Sequence, residues 1–256
     1  MAFDVAGNAY QRFMGRFSEQ LSEPFADFAG VTAGSGMRVV DVGCGPGALT
    51  AELVDRLGSS EVVGADPSGT FVPAVRERLP EVDIRQAPAE SLPFGDDAFD
   101  AALAQLVVHF MTDPVAGVGE MARVTRPGGV VAVCVWDHAG GRGPLSIFWD
   151  AVAEVDPGAR DESLLTGSTE GQLEALLGSV GVADVVGGEV TATRAYTSFE
   201  DWWEPYTLGV GPGGDYVRSL DDATRDRVIA ACRTRVPAGS FRLEATAWAA
   251  RGRVPS

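Results

Sequence analysis

Short apolar runs take turns along the chain with longer stretches in which apolar residues recur every three or four positions. Residues 37–42 (MRVVDV) read as a short buried strand, and Leu49, Leu53, Val54 and Leu57 after it keep helical spacing. Residues 61–66 (EVVGAD) are a second strand ending in an acid. Residues 101–111 (AALAQLVVHFM) form the fourth strand running into a loop. Asp113 as N-cap and Pro114 at the first position open a helix that Arg126-Pro127-Gly128-Gly129 stops, and residues 130–136 make the next strand. This alternation predicts an α/β class fold with a doubly wound, mostly parallel sheet.

The flanks have a different texture. Ahead of the first strand, Phe3, Tyr10, Phe13, Met14, Phe17, Leu21, Phe25 and Phe28 follow one another at amphipathic spacing, which predicts one or two helices. Residues 139–168 turn to glycine, proline and acids around one amphipathic helix at 145–155. A helix at 170–180 and a strand at 182–196 follow. Residues 198–236 are an insertion that opens on Ser198-Phe199-Glu200-Asp201, a capping-box start, and carries a helix with Val228, Cys232 and Val236 on one face. The last strand, 241–251, alternates Phe241, Leu243, Ala245, Ala247 and Ala249. The expectation is one domain over 1–256, with helical cap elements at 1–36, 139–168 and 197–237.

Composition bounds the function. With 256 residues and 45% hydrophobic content, the chain suits one sizeable core. No run approaches the roughly 18 to 20 apolar residues of a membrane span, and the start lacks a basic-then-apolar leader, so a cytoplasmic protein is expected. Cys44, Cys134 and Cys232 are an odd number and far apart, and read as free thiols. A net charge of −16 without a clustered arginine run argues against a nucleic-acid substrate. The chain contains no lysine, which removes a Walker-type phosphate loop and Schiff-base chemistry. Two distant histidines offer no metal-ligand spacing.

The candidate chemistry lies in Asp41-x-Gly43-x-Gly45-x-Gly47, set between the first strand and its helix. Glycine permits positive φ and lets a ligand approach the backbone, so a cofactor can lie directly on this turn. Gly43, Gly45 and Ala48 also satisfy the dinucleotide fingerprint, and the motif alone leaves both classes open. Asp66, about 23 residues after Gly43 and followed by Pro67 and Ser68, has the spacing of an acid that holds ribose hydroxyls in either class.

The acid-and-glycine pattern resembles motif I of the class I S-adenosylmethionine (SAM)-dependent methyltransferases. Ala89-Glu90-Ser91-Leu92-Pro93-Phe94 resembles a stretch of the small-molecule members of that family that has no counterpart in dehydrogenases. Where the family has an acid before that alanine, this chain has Pro88, leaving adenine to the backbone of Ala89 or Glu90 or to the Glu90 carboxylate. The resemblance implies a seven-stranded sheet with an antiparallel last strand, SAM as cofactor and S-adenosyl-L-homocysteine as product. It further implies Tyr10 and Arg16 at the methionine end, Cys44 within the turn, and Gln105 and Leu106 beside the methyl end.

His109 is the titratable group nearest that end and the candidate base, with packing behind the cofactor as its other reading. Trp136, Phe148, Trp149, Trp202, Trp203 and Tyr206, with His109, are candidates for an apolar pocket for a small-molecule acceptor. Asp137 and His138 stand at the carboxyl edge of the preceding strand. The implied function is methyl transfer to a small apolar or aromatic metabolite by a monomer or homodimer, with no nucleic-acid or membrane partner. A regulatory or non-methyl-transfer SAM-binding role, and a nicotinamide oxidoreductase, remain as alternatives.

Overall fold

The computed structural model describes residues 15–209 and 211–256. Helix α1 (Arg16–Ala29) precedes β1 (Val39–Val42), α2 (Ala48–Leu57), β2 (Val62–Asp66), α3 (Phe71–Arg78), β3 (Asp83–Gln86) and β4 (Phe99–Gln105). There follow α4 (Pro114–Val124), β5 (Thr125–Trp136), α5 (Ser146–Val155), α6 (Gln172–Ser179) and β6 (Ala183–Tyr196). Three further helices, α7 (Phe199–Trp203), α8 (Gly211–Ser219) and α9 (Asp222–Arg235), lead to β7 (Phe241–Arg253).

The seven strands lie in the order β3-β2-β1-β4-β5-β7-β6. β1 is parallel to β2 and β4, β2 to β3, and β4 to β5, whereas β7 is antiparallel to both β5 and β6. Every residue of β1 and β2 is buried, as expected for strands covered on both faces. One face packs Leu21, Phe25, Leu49 and Leu53 from α1 and α2, and the same buried cluster runs on into the aromatic residues of α5 and α7. The other face packs Val118 and Met121 of α4 and Leu173 and Leu177 of α6.

Strand order reverses between β1, whose successors β2 and β3 lie on one side, and β4, which lies on the other. Open α/β sheets place their ligands in the crevice at such a switch point, beyond the carboxyl ends of the strands. A second feature rises from the same edge. β5 pairs with β7 only as far as Trp136 opposite Ala247, but β6 and β7 stay paired to Tyr196 opposite Phe241. Six further residues of β6, at roughly 3.3 Å each, therefore carry a two-stranded ribbon about 20 Å past the sheet edge.

Most expected elements hold within a residue or two, including the Ser198 cap, whose hydroxyl accepts the Asp201 N–H. One boundary is corrected. Arg126-Pro127-Gly128-Gly129 does not terminate a helix. α4 stops at Val124 and these residues open β5 through a register shift against Phe99 and Ala101, with Gly128 at φ +76°. Of the amphipathic stretch at 3–28, residues up to 14 lie outside the described part; the remainder is α1. No helix among the described residues is long and apolar enough to cross a membrane.

Candidate cofactor and acceptor site

The turn after β1 is built by three neighbours. Gly43 and Cys44 both donate their N–H to the Ala65 carbonyl of β2, at 2.7 and 3.0 Å, and Gly47 donates to the Cys44 carbonyl at 2.9 Å. Gly43 has φ +72°, and a Cβ there would meet the Val107 side chain at 2.5 Å, so the loop after β4 closes directly onto the turn. Gly45 is the contrasting case. It has φ +51°, and a Cβ there would meet no atom of the described residues within 4 Å, so its open backbone is where a ligand can lie.

Asp41 and Asp66 divide the electrostatic work. Asp41 lies buried beneath the turn, takes a hydrogen bond from Thr50 Oγ1 at 2.6 Å, and has its pKa pushed up to about 7 by burial. It braces the turn against α2. Asp66 faces the loops: Oδ2 accepts the Gly45 N–H at 2.9 Å and Oδ1 the Ser68 N–H at 2.8 Å. Burial raises its pKa, while those two backbone donors pull it back. Each carboxylate oxygen keeps a lone pair for a further donor such as a ribose hydroxyl. Beyond Pro67, the Ser68 hydroxyl accepts the N–H groups of Thr70 and Phe71 and so starts α3. Cys44 is buried, and burial followed by the charges of Asp41 and Asp66 lifts its thiol well above the usual range, which leaves it unreactive.

The Ala89–Phe94 stretch is fastened from two sides. Glu120 Oε2 accepts the Leu92 N–H at 2.9 Å, and Arg123 donates to the Leu92 and Phe94 carbonyls. Glu90, expected as one reader of adenine, has Oε1 engaged by the N–H groups of Thr112 and Asp113 at 2.7 and 3.2 Å. It thereby holds the loop after β4. Ala89 is buried beside it, with its methyl facing α4.

At the end of β4, Gln105 Nε2 donates to the Ser18 carbonyl and the Ser22 hydroxyl of α1, at 2.9 and 3.2 Å. Its Oε1 is buried without a hydrogen-bond partner among the described residues. Leu106 takes φ +61°, an unusual conformation for a branched residue, and its N–H is held by the Cys134 carbonyl at 2.9 Å. Arg16 is exposed at the start of α1, within electrostatic range of Arg194, Tyr196 and Asp201. Tyr10 lies outside the described residues.

His109 departs from an ordinary histidine. It is packed against Phe110 and edge-on to His138, with ring centroids 3.8 and 6.0 Å apart. Burial, then repulsion from His138, drives its pKa down to about 3. It is neutral at physiological pH and a weak proton acceptor. His138 Nδ1 lies 4.0 Å from Glu162 Oε2, which also accepts the Trp149 indole N–H at 3.0 Å. Burial lowers His138 to about 4 and raises Glu162 to about 7, so the contact is between neutral groups near pH 6 rather than an ion pair. Asp137 closes the turn after β5, accepting from the Gly140 N–H and paired with Arg142, and so does not face an acceptor pocket.

The aromatic residues separate into two roles. Phe148 stacks on Tyr206 with centroids 4.6 Å apart, and Trp203 on Tyr206 at 5.6 Å, which joins α5 to the segment after α7. Phe148, Trp149 and Trp203 are core of this cluster. Trp202 and Tyr206 instead line a narrow pocket of about 10 Å³, room for one water, together with Phe17, Leu145, Arg194 and Tyr196. Phe17 is the partition, since its other side meets the Trp136 ring edge-on at 6.1 Å.

Residues 40–133, which hold the glycine turn, Asp66 and the Ala89–Phe94 stretch, match the methyltransferase domain family. Over this segment the chain is similar to methyltransferase domains. An uncharacterised methyltransferase of Mycobacterium bovis is 38% identical over 100 residues, 39% of this chain and 40% of its own length. A demethylmenaquinone methyltransferase of Mycobacterium sp. strain KMS is 35% identical over 130 residues, 50% of this chain and 54% of its own. The chain thus matches only about half, or less, of these relatives' length. An N-methyltransferase of Haemonchus contortus, solved with phosphomonomethylethanolamine and S-adenosylhomocysteine, is similar with a TM-score of 0.57 and 15% identity. That match covers 98% of this chain and 57% of the other, and at such identity it shows the fold. Residues 40–133 supply the crevice; the ribbon with α5 and α7–α9 builds what stands above it.

Sequence reasoning missed Thr50, Tyr196 and Arg194. A signal for the last was present: Val190, Ala192, Arg194 and Tyr196 fall on one alternating face, and all four are buried. A charge in register with core positions is out of place in a strand that only packs.

Proposed function

We propose that the chain is a SAM-dependent methyltransferase acting on a small apolar or aromatic metabolite. The observation that carries this reading is the pairing of an open backbone at Gly45 with a carboxylate, Asp66, fixed beside it. The residues fit the cofactor: the Gly43–Gly47 turn offers backbone, Asp66 offers ribose acceptors, and the orphaned Gln105 Oε1 offers a buried acceptor for an ammonium. When bound, SAM supplies an activated methyl group on a sulfonium whose departure needs no acid.

The protein's own contribution is orientation and exclusion of water. Gln105 ties α1 to β4, and α1 presents Phe17 between Trp136 and the aromatic pocket, so acceptor and cofactor sites share one wall. His109, neutral and half-buried, orders the loop after β4; base assistance at neutral pH is not its role. The similarity to a demethylmenaquinone methyltransferase is compatible with an aromatic acceptor. The test is incubation with methyl-labelled SAM and a small-molecule extract. Label appearing in a small molecule together with S-adenosylhomocysteine supports the reading; cofactor binding with no transferred label to any small molecule would leave a regulatory role.

A further inference from the structure

Gln105 Oε1, His109 Nδ1, Trp136 Nε1 and His138 Nε2 are each buried without a hydrogen-bond partner among the described residues. All belong to the carboxyl ends of the neighbouring strands β4 and β5 or to the turns directly after them, beside the switch point where a ligand is expected. Buried polar atoms in folded proteins are nearly always paired, so orphans gathered at one sheet edge mark a place where a further molecule supplies the partners. Gln105 Oε1 already has a place in the cofactor site; His138 Nε2 has none. We infer that His138 Nε2 receives a hydroxyl of the acceptor, which makes the acceptor a neutral arene bearing an O–H, as in a phenol. The inference rests on the acceptor reading above and narrows it to hydroxylated compounds.

The imidazole has a definite direction. Its side chain is 6% exposed, Nδ1 lies 4.0 Å from Glu162 Oε2, and a Cβ at Gly143 would meet the same nitrogen at 3.3 Å. Glu162 comes from the loop between α5 and α6 and is fixed by the Trp149 indole N–H at 3.0 Å. As a carboxylate it favours the proton on Nδ1, which leaves Nε2 a lone pair that only a donor can fill. An ether or a ketone has no such donor. An anion is disfavoured as well: Asp137, Asp161 and Glu162 all lie near, and burial keeps His138 and the adjacent His109 uncharged at neutral pH. The His109 ring, edge-on with its centroid 6.0 Å away, brings a second buried nitrogen to the same place. The aryl body follows from the acceptor reading; the hydroxyl is what His138 adds to it.

The chain has two histidines, so nitrogen-15 NMR can follow each ring separately. The full chain carrying labelled histidine and saturated with S-adenosylhomocysteine is titrated with phenol and, separately, with its methyl ether anisole. The pH is set to 8, where Glu162 is ionised. Before either probe is added, His138 is expected to carry its proton on Nδ1. Phenol is expected to move the His138 Nε2 resonance and to bind about fivefold or more tightly than anisole, the worth of one hydrogen bond. His138→Phe is expected to remove that preference with unchanged affinity for S-adenosylhomocysteine. The tautomer and the resonance shift are read in the unaltered protein and stand even if the variant does not fold. A proton on Nε2, equal binding of phenol and anisole, or a preference that survives His138→Phe would overturn the inference. If neither probe binds while S-adenosylhomocysteine does, the inference fails and the cofactor reading stands. Failure of S-adenosylhomocysteine itself to bind would remove the reading underneath.

Discussion

The Asp66 carboxylate accepts the Gly45 N–H at 2.9 Å and the Ser68 N–H at 2.8 Å, so one side chain fixes the turns after both β1 and β2. Replacing it by asparagine puts an amide NH₂ opposite one of these donors and costs about 1–3 kcal/mol. For a chain of this size that is a fall in melting temperature of a few degrees. The further expectation for Asp66→Asn is loss of most of the rise in melting temperature that S-adenosylhomocysteine gives the unaltered protein. Thermal scans with and without ligand read both effects.

Two glycines of the turn are expected to respond oppositely to the same change. Gly45→Ala meets no atom within 4 Å and costs about 1 kcal/mol for its positive φ, so the protein stays folded while the backbone a cofactor needs is covered. Gly43→Ala drives a methyl into Val107 and is expected to destabilise by about 2 kcal/mol or more. Melting curves alongside S-adenosylhomocysteine titrations separate them: Gly45→Ala loses binding with near-normal stability, Gly43→Ala loses stability first.

Glu90 holds the Thr112 and Asp113 N–H groups, not a position expected of an adenine contact. Glu90→Ala is therefore expected to lower stability by about 1–2 kcal/mol by freeing two backbone donors. Affinity for S-adenosylhomocysteine should stay within about twofold. A tenfold or larger loss of affinity would return Glu90 to the cofactor.

Glu162 gives the molecule a pH dependence of definite sign. Its folded pKa, about 7, stands above the ordinary 4.5. The folded state thus holds the proton more tightly, and this contribution is full below pH 4.5 and lost as pH rises to about 7. Glu162→Gln keeps an acceptor for the Trp149 indole and removes the titration. Relative to the unaltered protein, the variant is expected to gain stability between pH 4.5 and 7, on the order of 3 kcal/mol at most. Melting temperatures of both proteins at pH 5 and pH 8 check it. His138, lowered to about 4, contributes with the opposite sign in both proteins and drops out of the difference.

The cofactor half of the site was legible because its chemistry is local. A glycine turn between strand and helix, an acid at the end of the next strand and the Ala89–Phe94 stretch are each contiguous, and the structure brings Gly45 and Asp66 together. What sequence could not supply was direction. Glu90 and Gln105 stand at the expected places, yet Glu90 turns to Thr112 and Gln105 Nε2 to α1, because those partners come from distant segments. His109 illustrates the same limit, since its weak basicity follows from burial against Phe110 and His138. The aromatics of α5 and α7 were seen, but only the packed fold sorts Trp202 and Tyr206 into a pocket and Phe148 into core. Helix α4 ended early because Thr125 pairs with Phe99 of β4, with Arg126–Gly129 in the register shift before Val130 meets Ala101, a tertiary choice that turn propensity does not register.

The most direct test of the account is titration of the unaltered protein with S-adenosylhomocysteine and, separately, with NADH in one calorimetric experiment. Saturable one-to-one binding of S-adenosylhomocysteine, abolished in Gly45→Ala, with no heat from NADH, is the expected result. Saturable binding of NADH without binding of S-adenosylhomocysteine would contradict it, and would make the crevice at the ends of β1 and β4 a dinucleotide site.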